Sequence, residues 1–297
     1  MKIAYVPENK LHNILLYLLL KLWYNIYIFE VIILFPNSYL FDIMFFIGII
    51  LGVGYLYLKT KKWDISHKQM DKLIIILGIS GIIFYLSASF FDSLFQVLKG
   101  NKWEDGGITF LGGAISAIIA FSLLFWFLLK EKRSELKNYL NVLVGGIVIG
   151  HAFGRIGCFC AGCCFGEITD SFLGIIFPEG SAPFKYAVNH YLQLGNTLEE
   201  AKILALETKI LPTQLIEAGF LFILFGILNV IKKHQFEVYL LSYGIFRFTL
   251  EFFRADDRGS LFGFFSPSQW LSLLLIVSGI ISIILHLKRH QTDNQNL

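Results

Sequence analysis

Residues Gly145 to Asp170 read GGIVIGHAFGRIGCFCAGCCFGEITD, and this stretch decides what kind of protein the chain forms. It opens as an apolar helical pattern spaced by glycines and sets one arginine, Arg155, at what should be membrane depth. It then packs all four cysteines, Cys158, Cys160, Cys163 and Cys164, into seven residues and ends in polar turn residues. A charge inside an apolar segment is expensive and is usually kept for function. The stretch therefore predicts a membrane helix that finishes in a chemical site.

The rest of the chain agrees with a membrane setting. Of 297 residues, 56% are hydrophobic and 16% charged, against roughly 25% charged in soluble domains. Too few charges remain to cover a soluble surface, so the fold class is an all-α polytopic membrane protein. The net charge of +3 is small and implies no nucleic-acid partner. The N-terminus lacks the pattern of a cleaved signal peptide.

About 20 apolar residues cross a bilayer. Seven stretches qualify, roughly 39–58, 73–98, 108–129, 141–159, 211–231, 238–254 and 267–287. Residues 12–34 are apolar but broken by Lys21 and Glu30, which suits a helix lying in the outer interface. Alternate connections are basic: Lys59 to Lys72, Lys130 to Lys137, Lys232 and Lys233, then Lys288 and Arg289. With seven spans, every basic connection falls on one side, so the N-terminus is expected outside and the C-terminus in the cytoplasm. The expected organisation is an interfacial segment at 1–38, one transmembrane domain at 39–290 with an outer connection at 170–210, and a polar cytoplasmic tail at 291–297.

That topology sends the polar residues to the outer half of the bilayer. Tyr243, Arg247 and Glu251 recur every four residues, with Arg254 three further on, so they share one helical face. An Arg247–Glu251 ion pair that only orients the helix is one reading; a polar cavity lined by this face is the other. Arg155 arrives from another span. Two arginines with too few buried carboxylates call for an anionic ligand, and the abundant anion in a membrane is a lipid phosphate, which suits the planar guanidinium fork.

Other groups carry open readings. Gly106, Gly107, Gly112 and Gly113 in GGITFLGG fit close helix packing or an approach of backbone amides to a head group. The four cysteines fit packed small hydrophobes, a disulfide or redox pair, or a metal or catalytic thiol site. Thr213, Ser266 and Ser268 stand where helix caps belong. Gln214, Glu217 and Gln269 are placed to offer hydrogen bonds to the same outer cavity.

The segment GRIGCFCAGCCFGEITD at 154–170 resembles the signature of prolipoprotein diacylglyceryl transferases, which reads approximately GRIGNFINGELFGR. GGITFLGG, PTQLIEA at 212–218, YGIFRFTLEFFR at 243–254 and SQWLS at 268–272 match further family motifs in the same order. The resemblance implies a multi-pass enzyme of the bacterial cytoplasmic membrane. Such an enzyme moves the diacylglyceryl group of phosphatidylglycerol onto the lipobox cysteine of a prolipoprotein signal peptide. It implies no metal or organic cofactor and a monomer.

By position, Arg155 and Arg247 would bind the phosphate, while Glu251 and Tyr243 would hold Arg247. Gly166 would leave room for the lipid, beside Gly112, Gly113, Gly154, Gln214, Arg254 and Gln269. This chain departs from the family at three positions: Leu111 stands for a histidine, Cys158 for the signature asparagine and Cys163 for the signature glutamate. His151, one turn before Arg155, is the candidate to replace the lost imidazole as general base. The competing expectations are a thiol-redox or metal-handling protein on the four cysteines, or an inactive lipid-binding paralogue.

Overall fold

The computed structural model describes residues 38–61, 63, 65–98, 110–255 and 264–295. The expected interfacial segment at 12–34, together with Gly106, Gly107, Asp256 and Asp257, lies outside them. The described chain is almost wholly helical. Helix α1 spans Ser38–Thr60, α2 His67–Leu98 and α3 Phe110–Leu128. A 3-10 turn at Lys130–Glu135 leads into α4, Leu136–Cys160. After two short helices, α5 at Ala182–Gln193 and α6 at Leu198–Ala205, come α7 at Thr213–Val230, α8 at Gln235–Leu250 and α9 at Pro267–Gln295.

Six of these helices are long and apolar enough to cross a membrane. Helix α8, with 16 residues, is shorter than the span expected at 238–254, because a 3-10 turn at Glu251–Phe253 and an extended Arg254 replace its last turn. The helix expected to end near 287 instead runs on to Gln295, through the first part of the expected tail.

Helix α4 is the axis of the molecule, in contact with α1, α7 and α8; α2 pairs with α3, and α8 with α9. Glycines set how closely α1 and α4 approach. A Cβ on Gly48 would lie 2.8 Å from the Gly150 carbonyl oxygen, and one on Gly52 equally close to that of Gly146. Lipid is as apolar as leucine, so such close backbone packing replaces the hydrophobic effect as the force between helices.

Basic residues close one end of the bundle. Lys72 Nζ donates to the Leu128 carbonyl at 2.9 Å, and Arg133 Nε to that of Trp126 at 2.7 Å, satisfying carbonyls at the end of α3. Lys137 pairs with the buried Glu237 at 2.8 Å, and Ser282 donates to the same carboxylate at 3.0 Å, tying the starts of α4 and α8 to α9.

The connection expected at 170–210 folds at the opposite end of α4. Its two-residue strands, β1 at Ile175–Ile176 and β2 at Lys209–Ile210, pair antiparallel, with α5 and α6 between them. Phe159, Phe165, Phe177, Phe184 and Ile210 form its own small core. Helix α5 is capped by Ser181, and α6 by a capping box of Thr197 and Glu200.

Candidate active site

The arginines meet at a carboxylate. Arg155 Nε from α4 lies 3.1 Å from Glu217 Oε2 on α7, and Arg247 Nε from α8 lies 4.0 Å from Glu217 Oε1. Tyr243, one turn before Arg247, donates its hydroxyl to Glu217 Oε1 at 2.8 Å. Glu217 is wholly buried, and Arg247 is 2% exposed. The sequence-based expectation of too few buried carboxylates is therefore corrected: Glu217, weighed only as a hydrogen-bonding side chain, is the hub. Its signal was present, since a glutamate one turn inside an apolar helix is as costly to bury as an arginine.

The same face of α8 continues the network. Arg247 Nη2 lies 2.6 Å from Glu251 Oε2, and Arg254 Nε lies 3.9 Å from the same oxygen. Glu251 is thus an ion-pair partner of Arg247. Tyr243 acts elsewhere, through Glu217 rather than on the guanidinium. Ser266 donates to Glu251 Oε1 at 2.8 Å, fastening the start of α9 to the network. Among the described residues of the cage, three guanidiniums face two carboxylates. Arg247 Nη1 is buried with no hydrogen-bond partner among the described residues, and a buried donor left unpaired is costly.

His151 sits inside this cage. Arg155 Nε donates to His151 Nε2 at 3.2 Å, and that nitrogen lies 3.7 Å from Glu217 Oε1. Its ring stacks on Phe110 with centroids 3.6 Å apart and meets Tyr243 edge-on. Leu111, where the family pattern carries histidine, is buried in the core beside Ala152 and Tyr243. The His151 Nε2 lone pair is thus taken up by the Arg155 N–H. In this arrangement His151 is placed to orient the guanidinium.

The remaining expected lipid contacts resolve into packing and anchoring. A Cβ on Gly112 would strike the Phe91 ring at 2.7 Å, and one on Gly113 the Phe84 carbonyl at 2.7 Å, so close helix packing is their reading. A Cβ on Gly166 would meet the Phe253 and Leu211 carbonyls at 2.6 and 2.8 Å, so this glycine is a point of close backbone approach. Gly154, by contrast, faces open space. Gln269 accepts from the Ser266 N–H at 2.9 Å, and Ser266 Oγ accepts from the Gln269 N–H at 3.2 Å. This is a capping box, so Gln269 starts α9 rather than facing substrate. Thr213 is no cap: it donates to the Cys164 carbonyl at 2.7 Å, and Gln214 Nε2 donates to that of Cys163.

No disulfide joins the four cysteines in the described structure. Cys160 is buried, whereas the sulfurs of Cys158, Cys163 and Cys164 lie within 4.8 Å of one another. On Cys163 the hydrogen bond with Cys158 lowers the thiol pKa. The hydrogen bond with Cys164 and burial outweigh it and push the value up to about 11.

A bundle of long apolar helices around a buried guanidinium–carboxylate cage is the architecture of a polytopic membrane protein. The family model of prolipoprotein diacylglyceryl transferase matches residues 30–285, and the chain belongs to that family. A phosphatidylglycerol–prolipoprotein diacylglyceryl transferase 2 of Clostridium perfringens is 37% identical over 159 residues, 50% of this chain and 54% of that protein. Phosphatidylglycerol–prolipoprotein diacylglyceryl transferases of Clostridium tetani and Dehalococcoides mccartyi align more widely. The first is 29% identical over 80% of this chain and 88% of its own length, the second 27% identical over 86% and 91%.

Proposed function

We propose that this protein transfers the diacylglyceryl group of phosphatidylglycerol to the lipobox cysteine of a prolipoprotein. The observation that carries this reading is the convergence of Arg155 and Arg247, from two different helices, on one buried carboxylate, with the buried Arg247 Nη1 left without a hydrogen-bond partner among the described residues. A phosphodiester oxygen suits that donor, since guanidinium–phosphate hydrogen bonds are charge-assisted. The cysteine sulfur attacks the glycerol carbon next to the phosphate, a C–S bond forms and the C–O bond breaks. Glycerol phosphate leaves as a dianion, and the thiol proton passes to solvent.

Charge therefore grows on the phosphate as the bond breaks. Guanidinium donors fixed beforehand stabilise that growth most, because they need no reorganisation at the moment of reaction. Arg155 and Arg247 take the phosphate in this scheme, while Glu217, Glu251, Tyr243 and His151 hold their planes. The open space at Gly154 leaves lipid a path beside Arg155.

In this reading α8 and its 3-10 turn form a seventh crossing, supported by packing against α4, α7 and α9. The basic ends at Lys130–Lys137 and Lys232–Lys233 then face the cytoplasm of a bacterium. The N-terminus and the arginine cage face outward, the side on which signal peptides emerge. The protein acts as a monomer in the cytoplasmic membrane.

The decisive assay combines purified protein, phosphatidylglycerol and a lipobox peptide, and reads the peptide's mass. The expected outcome is a gain of one diacylglyceryl group with release of glycerol phosphate. An unmodified peptide, from protein that still binds the lipid, would overturn the reading in favour of an inactive paralogue.

A further inference from the structure

Beside the arginine cage lies a cluster that the transfer chemistry leaves unused. The sulfurs of Cys158, Cys163 and Cys164 lie within 4.8 Å of one another, and the fourth cysteine, Cys160, stands apart and buried. The turn that gathers them is fixed by its backbone. Gly162 and Cys164 both take left-handed conformations, with φ of +66° and +63°, a placement that a side chain such as that of Cys164 adopts only where its surroundings enforce it. The Cys158 carbonyl accepts from the Cys163 N–H at 3.1 Å and from the Cys163 thiol at 3.6 Å. Helix α7 fastens the far side, through Gln214 on the Cys163 carbonyl and Thr213 on that of Cys164. The sulfurs are thus positioned by the fold.

We propose that Cys158, Cys163 and Cys164 form a three-thiolate binding site for a soft monovalent cation, copper(I). Three sulfurs placed about 2.3 Å from one ion in a trigonal plane stand about 4.0 Å apart, so these need to close by less than an ångström. Thiolates select copper(I) and zinc over hard cations. The group of described metal-ligating side chains here contains no histidine, aspartate or glutamate. Zinc almost always takes four ligands, whereas three thiolates complete copper(I) coordination, so the donor set favours copper.

Binding releases three thiol protons and changes no oxidation state. The loaded cluster carries three negative charges and one positive, a net charge of −2. Arg155 lies within electrostatic reach of Cys158 and Cys164 and offsets part of it. Cys163 is exposed and gives the ion a way in.

The test is a titration of the purified full chain, kept reduced and anaerobic, with copper(I) against a chromogenic chelator of known affinity. One copper per chain is expected. Each of Cys158→Ser, Cys163→Ser and Cys164→Ser weakens binding by at least about tenfold, as loss of a ligand should, while Cys160→Ser leaves it unchanged. Cys163→Ser alters an exposed side chain, so that variant remains informative if the others do not fold. Undiminished binding in Cys163→Ser, or no copper retained by the parent chain, overturns the proposal. So does tighter binding of zinc than of copper(I). A deficit of two thiols in protein isolated without reductant would also overturn it, by showing a disulfide. None of these readouts depends on transferase activity.

Discussion

Helices α1 and α4 lie against each other yet face opposite surroundings. Only 11% of the apolar window of α1 is buried inside the protein, against 61% for α4. The contact is antiparallel, running from Phe41 against Gly157, through Gly48 against Gly150, to Tyr55 against Gly145. In water the more apolar helix would be the buried one. Here α1 shows Phe46, Ile50, Val53 and Leu58 outward, and α4, with His151 and Arg155, is the interior. Lipid solvates leucine as well as protein does, so burial is reserved for groups that lipid cannot solvate. In this bundle the polar helix makes the core and the apolar helix makes the coat.

The sharpest way to break that contrast is to spoil the polar core while keeping its charge. Arg247→Lys and Arg155→Lys retain a cation but lose the planar fork. Transfer in the peptide-mass assay should fall by roughly 10²–10³-fold, the usual cost of removing one fixed donor to a developing anion. Activity within threefold of the parent for both would detach the arginines from the chemistry. Glu217→Gln leaves two buried guanidiniums without their shared counter-charge. Breaking a buried pair from one side costs about 3–5 kcal/mol, which a lowered thermal midpoint in detergent should record.

Smaller effects sharpen the comparison. Gly52→Leu on α1 overpacks the contact with Gly146 and should cost about 1–3 kcal/mol, measured by the same melting experiment. Ile50→Leu, two residues away on the lipid side, should stay within about 0.5 kcal/mol. Equal losses for the two would mean that α1 does not pack as described. His151→Leu removes the acceptor for Arg155 Nε and should lower transfer about tenfold, in line with roughly 1.5 kcal/mol, the low end for a hydrogen bond to a charged group. His151→Gln keeps an acceptor and should recover most of that loss with an unshifted pH profile. A collapse in both variants, with the acidic limb of the profile lost, would make His151 the base after all.

Much of this was legible beforehand. Spans 39–58 and 141–159 became α1 and α4, because long apolar runs bounded by lysines leave a chain few alternatives in lipid. Arg155 and Arg247 were expected at one end of the bundle, and they meet there. The hub was less legible. Glu217 lies 62 residues from Arg155 and 30 from Arg247, and whether it points between them depends on the rotation of α7 about its axis. Gln269, Gly112, Gly113 and Gly166 matched family motifs and suggested substrate contacts, and Thr213 suggested a helix cap. Their places are a cap, an anchor for the cysteine turn and three points of close backbone approach, and motif position alone does not separate those roles.

The sequence by itself determined that the chain is helical and apolar enough for a membrane, that its basic residues gather in alternate connections, and that two arginines share a level. Hydrophobic length and charge placement are local properties, read residue by residue. Tertiary structure alone decided which carboxylate joins the arginines, which histidine nitrogen is occupied, and which three of four thiols stand together. Those facts depend on distances of a few ångströms between helices far apart in the chain, set by glycine contacts and helix rotation that no single segment encodes.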